Sequence, residues 1–227
     1  MSVISIVIGE KYYNKDPRSS DLGKRIVTHS IHLLDELGYE EFTFKKLAQY
    51  IDSTEASIYR YFDNKHILLL YLATYYWSWI SYLIDIKTHH LTDATEQLRT
   101  ILRIICNVHN PVDSVELPGI DVKVLRRVVG SEADKTYLTK RVDEINNQGL
   151  FKGYKELCHK IALVILRINP KYKYPHALVS TVLEASNQQL FFAQHLPSLT
   201  EVSTNYKTPL EGQVYKLMEH MVLNLIS

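Results

Sequence analysis

FTFKKLAQYIDSTEASIYRYFDNKHILL, residues Phe42–Leu69, contains two short apolar repeats on either side of a polar break. Phe44, Leu47, Ala48 and Ile51 recur at i, i+3, i+4 and i+7, the period of one buried helical face. Thr43 stands where a side-chain oxygen caps the first turn. Asp52-Ser53 interrupts the period, and aspartate tolerates left-handed backbone better than most residues. A second short helix follows, capped by Ser53 or Thr54, with Ile58, Tyr59 and Phe62 expected to turn inward. Asp63 or Asn64 then offers a cap for a long helix starting near Lys65.

Outward from this stretch the chain stays helical. Leu22, Ile26, Leu33 and Leu37, joined by Val27, Ile31 and Leu34, form one broad apolar face, and Gly38 follows as a left-handed stop. This predicts a first helix over about 20–37. Downstream, Ile67–Ile84 runs without a charge, long enough for a membrane-spanning candidate. Its rings, Tyr71, Tyr75, Tyr76, Trp77, Trp79 and Tyr82, lie in the middle rather than at two interfaces, which favours a buried helix over a membrane span. Thr92 or Asp93 opens a helix to about Val108. A loop at 110–119 carries two prolines, and a helical stretch from Ser131 to Ile168 is interrupted at least once. Pro175 suits the first turn of a helix reaching about His195. Thr208-Pro209-Leu210-Glu211 reads as a capping box, opening a stripe of Leu210, Val214, Leu217, Met218, Met221, Val222 and Leu225. The expected class is all-α.

The chain has 227 residues, 46% hydrophobic and 22% charged, which excludes low-complexity and wholly disordered classes. Twenty-six Lys and Arg against 25 Asp and Glu give a net charge of +1, so any nucleic-acid partner must be met by local placement of charge. The two cysteines, Cys106 and Cys158, are far apart and form no C-x-x-C pair. That points away from a disulfide framework or a zinc site and towards a reducing cytoplasm. The apolar run Val3–Ile8 lacks the basic flank and small-residue cleavage pattern of a signal peptide, leaving an arm at 1–19. Tyrosine is abundant, 16 against 6 Phe and 2 Trp, which suits interiors where an apolar ring carries a polar tip.

Two short helices about a tight turn, supported by a longer first helix, form the helix-turn-helix arrangement. Residues Phe42–Leu69 resemble the DNA-binding signature of TetR-like transcriptional regulators, through Lys46-Leu47-Ala48, Ile58-Tyr59-Arg60-Tyr61-Phe62 and Asn64-Lys65, with Gly38-Tyr39 upstream. The resemblance implies an N-terminal three-helix DNA-binding domain at 20–65. It also implies a C-terminal helical bundle at 66–227 for effector binding and dimerisation, and a homodimer on a palindromic double-stranded operator. By position, Lys45, Ser57 and Tyr59 match groups that reach base edges or nearby backbone, and Thr43, Tyr61 and Lys65 match phosphate contacts. Thr54, Glu55 and Arg60 complete the DNA-facing set. A pure core ring is the other reading of Tyr59. Glu55 departs from the pattern: it either accepts from a cytosine amino group or points to solvent. Residues 1–65 hold nine Lys and Arg against ten Asp and Glu, an unusually acidic balance for such a module. Lys11, Lys15 and Arg18 with Tyr12 and Tyr13 suit either a minor-groove arm or a disordered tail.

The ten histidines are scattered, and no nucleophile–base pair, H-E-x-x-H or phosphate loop occurs, so neither catalysis nor a metal or cofactor is expected. An unidentified small-molecule effector would be lined by Tyr71, Tyr75, Trp79, Tyr82, Phe151, Tyr154, Gln188 and Phe192, for each of which core packing is the alternative. Leu178, Val182, Leu210, Val214, Leu217 and Met221 form the candidate dimer seam, or face the protomer's own core. Two functions remain open: a ligand-controlled repressor, or an adaptor of the same fold with weak, sequence-independent DNA affinity.

Overall fold

The computed structural model describes residues 8–108 and 119–227, so Met1–Val7 of the arm and the proline loop up to residue 118 lie outside the described residues. Every regular element among the described residues is helical. Eleven α-helices appear: α1 Asp21–Glu41, α2 Phe44–Tyr50, α3 Glu55–Tyr59, α4 Lys65–Thr88, α5 Ala94–Ile105, α6 Val122–Glu132, α7 Asp134–Tyr137, α8 Val142–Asn147, α9 Lys152–Ile168, α10 Pro175–His195 and α11 Leu210–Ile226. They fall into two compact units, one holding residues 8–79 and 119–154, the other 80–108 and 155–227. The first part of α4 and all of α6–α8 fall in the same unit as the N-terminal helices.

The first unit is built on α1. Ser20 caps it, its Oγ accepting from the Gly23 N–H at 3.2 Å, and Ile26, Val27, Ile31, Leu33 and Leu34 are buried. Each such side chain contributes about 1.5–3 kcal/mol on leaving water. Gly38, at φ +72°, breaks the helix where the glycine stop predicts; one further turn follows before Phe42. The helix α6, absent from the sequence reading, packs along α1. Asp121 caps α6 through the Lys123 and Val124 amides, and Val124, Leu125, Val128 and Val129 turn inward. Arg127 of α6 grips Asp35 of α1 with two bonds of 2.9 and 2.6 Å.

In the second unit α11 packs on α5 and α10. Asp93 caps α5, as expected, and Pro175 opens α10. The capping box before α11 is not formed. Pro209 itself occupies the cap, so Thr208 lies one residue too early for its hydroxyl to reach the first amides. The stripe also divides. Val214, Met218, Val222 and Ile226 are buried, Leu210, Leu217 and Met221 are only partly covered, and Leu225 is 53% exposed. Helix α4 is long and apolar enough to cross a membrane, but most of its apolar stretch is buried inside the protein.

Candidate nucleic-acid interface

The α2–α3 pair owes its shape to three local devices. Thr43 Oγ1 accepts from the Lys46 amide at 3.2 Å and opens α2. Asp52 takes φ +48°, and the Ser53 amide returns to the Ala48 carbonyl at 2.8 Å, closing the turn. Thr54 Oγ1 then accepts from the Ser57 amide at 3.2 Å and opens α3. The Arg25 guanidinium of α1 donates to the Ile51 carbonyl, tying the end of α2 to the first helix. Ile58 and Phe62 are fully buried and orient α3.

This anchoring decides which expected site residues face outward. Thr43, Lys45, Thr54, Glu55, Tyr59 and Arg60 are exposed, and Ser57 is half-buried with its hydroxyl 2.9 Å from Thr54 Oγ1. Tyr59 is not the inward ring its spacing suggests. It is 48% exposed, leaning edge-on against Phe44 at 5.0 Å between centroids, because a five-residue helix places Ile58 and Phe62 inward and turns position 59 aside. Glu55 sits in the first turn of α3, where the helix dipole favours a carboxylate.

Two expected phosphate ligands are placed otherwise. Tyr61 is 3% exposed, with its hydroxyl 2.7 Å from Ser20 Oγ. That bond lowers its phenol pKa, with burial opposing. Lys65 directs its ammonium to the carbonyls of Tyr39, Glu40 and Phe42 at 2.8, 3.1 and 3.1 Å, and lies 4.5 Å over the Tyr39 ring. An ammonium has three donors, so Lys65 is spent on closing the last turn of α1 rather than reaching outward.

The N-terminal arm is neither a tail nor a free groove-reader in its described part. Tyr12 is buried and donates to the Leu150 carbonyl at 2.6 Å, and Lys11 donates to Gln148 O at 2.7 Å. Arg18 pairs with Asp16 at 2.7 Å, and Lys15 lies 5.1 Å over the Tyr61 ring. Sequence reasoning missed Asn14 and Arg25, which hold α3 and α2. Their signal is tertiary, since both bond to residues at least 26 positions away.

The remaining candidates sort by burial. In the first unit Tyr71, Tyr75 and Trp79 are buried core rings, and Phe151 and Tyr154 are half-buried. Phe62, Tyr71 and Tyr75 form a continuous aromatic column, with centroids 5.3 and 6.2 Å apart. Burial raises the pKa of both tyrosines. Trp79 Nε1 is buried without a hydrogen-bond partner among the described residues. In the second unit Tyr82 and Phe192 are half-buried, and Gln188 is exposed on α10. Of the seam residues, Leu178, Val182 and Val214 are buried in their own protomer, the second of the two readings; Leu210, Leu217 and Met221 are partly open. No group of three or more His, Cys, Asp or Glu able to hold a metal occurs among the described residues.

Residues 26–72 match the sequence model of the family described as bacterial regulatory proteins, tetR family. The chain carries a TetR-family N-terminal domain. No curated protein matches the sequence. Among solved structures, the fatty acid degradation regulator FadR from Bacillus halodurans is 16% identical, covers 96% of this chain and 97% of its own, and superposes with TM-score 0.58. AibR, solved with isovaleryl coenzyme A and operator DNA, is 13% identical over 91% of this chain and 97% of its own, also at 0.58. The superantigen PfiT, 13% identical, covers 92% and 97% with TM-score 0.55. Identities this low show a shared fold alone. Within the TetR-family domain the helix-turn-helix is α2–turn–α3.

Proposed function

We propose that this protein is a sequence-specific, DNA-binding transcriptional regulator, a repressor that binds a palindromic operator as a homodimer and is controlled by a small molecule. The outward row Thr43, Lys45, Glu55, Tyr59 and Arg60, held in place by buried Ile58 and Phe62, carries this reading. A lysine and an arginine supply donors to guanine and phosphate, hydroxyls supply phosphate contacts, and the capped turn fixes their orientation. One carboxylate of the acidic 1–65 segment is neutralised from outside it, Asp35 by Arg127.

Two recognition helices must stand about 34 Å apart, or a multiple of it, to meet successive major grooves, so a dimer sets the register. Leu217 and Met221, partly covered, and Leu225, exposed along α11, supply apolar surface for that association. The buried Trp79 N–H on α4, without a partner among the described residues, supplies a donor of the kind that orients a ligand in an apolar site. The Phe62–Tyr71–Tyr75 column links α4 to the end of α3, so ligand-induced movement of α4 would reach the recognition helix. Both cysteines are buried and neither is in a disulfide, which suits a reducing cytoplasm.

Selection of the full chain against random duplexes at moderate salt is expected to enrich a palindrome. Lys45→Ala should then weaken binding to it about tenfold, the loss of one good base contact, with no change in melting temperature. Failure to enrich any palindrome overturns this reading in favour of an adaptor.

A further inference from the structure

The segment Lys11–Asn14 crosses the first unit as a strap with both ends bonded. At its start, Lys11 Nζ donates to Gln148 O at 2.7 Å and the buried Tyr12 hydroxyl donates to Leu150 O at 2.6 Å, fixing it to the turn between α8 and α9. At its end, Asn14 closes on the exit of α3. Its backbone amide donates to Tyr61 O at 2.8 Å, and its side-chain Nδ2 donates to Asp63 Oδ1 at 2.7 Å and to Tyr59 O at 3.4 Å. In between, Tyr13 rests edge-on against Tyr71 of α4 at 6.2 Å. A five-residue helix has too few internal bonds to hold its own direction. Buried Ile58 and Phe62 fix its inner face, and Asn14 adds a second hold from outside the helix-turn-helix, on the Tyr59 carbonyl that ends the helix and the Tyr61 carbonyl just beyond it.

We infer that the strap positions the recognition helix, with Asn14 as the positioning residue and Tyr12 as its anchor on the α8–α9 turn. Asn14 itself touches no base in this scheme. It acts by holding the Tyr59–Asp63 segment, so its loss alters the orientation of Tyr59 and Arg60 rather than the charge they present. The inference rests on the DNA-binding reading and makes a narrower claim: a change at the α8–α9 turn reaches α3 through four residues of strap, in parallel with the route along α4.

The Asn14–Asp63 bond has a defined polarity, which makes it testable by exchange. Asn14→Asp places two carboxylates at hydrogen-bond distance, and adding Asp63→Asn restores one donor facing one acceptor. Full-length wild type, Asn14→Asp, Asn14→Asp with Asp63→Asn, and Tyr12→Phe are titrated with the selected palindrome and with a scrambled duplex of equal length. Melting temperature is recorded alongside. Asn14→Asp is expected to lose about tenfold on the palindrome and less than twofold on the scrambled duplex, with the exchange variant recovering to within threefold. Tyr12→Phe should show the same split at smaller size. Unchanged palindrome affinity in Asn14→Asp or Tyr12→Phe overturns the inference. So does an equal loss on both duplexes, or a double variant that fails to recover. If the wild type selects no palindrome, hydrogen exchange of the Tyr61 and Phe62 amides decides instead: faster exchange in Asn14→Asp, reversed by Asp63→Asn, supports the strap, and unchanged exchange overturns it.

Discussion

In the α2–α3 pair each helix is opened by a threonine hydroxyl, Thr43 on the Lys46 amide and Thr54 on the Ser57 amide. Helix α11 begins with no side-chain cap, and its approach is held by Gln213, whose amide donates to Ser203 O and Thr208 O at 2.9 and 2.7 Å and accepts from Ser203 N at 3.0 Å. Both starts carry a threonine before an apolar stripe. The difference lies in what intervenes: at α2 and α3 the threonine occupies the cap with extended backbone, whereas Pro209 takes that place before α11 and displaces Thr208 by one residue. A cap works over one or two bonds, so a shift of one residue abolishes it.

The widest contrast is expected inside α11. Met218→Ala, in the core of the second unit, should cost about 2–5 kcal/mol by denaturant unfolding. Met221→Ala, three residues on and partly open, should cost under about 1 kcal/mol and instead weaken self-association in sedimentation. Equal losses of stability would mean that the stripe does not divide. The corresponding contrast in the first unit lies between lysines. Lys65→Met removes three charge-assisted bonds to the end of α1 and should cost about 2 kcal/mol, whereas exposed Lys45→Met should stay within about 0.5 kcal/mol. The smallest contrast tests the caps directly. Thr54→Ala should cost about 1 kcal/mol and Thr208→Ala under about 0.5 kcal/mol; a Thr208 effect as large as that of Thr54 would restore the capping box.

Much of the helix-turn-helix was legible because its determinants are neighbours in sequence. The apolar positions Phe44, Leu47, Ala48, Ile58 and Phe62, the caps Thr43 and Thr54, the left-handed Asp52 and the Gly38 break all appear where their residue types predict. Helix α6 lies between the proline loop and the stretch read as helical from Ser131, and its inward face, Val124, Leu125, Val128 and Val129, is set by packing on α1. Tyr59 takes the outward one of its two readings, and Tyr61, expected at phosphate, is buried. Their spacing from Ile58 sets which faces they share, but only the course of the chain after α3 decides which of those faces meets α1 and the strap.

The helical class, the order of most of the helices and the helix-turn-helix are written in local patterns, because periodicity, capping and left-handed breaks act within a few residues. Long-range packing settles that Lys65 closes α1, that Tyr61 is buried with its carbonyl bonded to the N-terminal strap, and that Val214 and Met218 face inward while Leu225 does not. Those outcomes depend on partners 23 or more residues away for Lys65 and 41 for Tyr61. An apolar or basic side chain specifies the chemistry of its partner, and the fold specifies which partner is within reach.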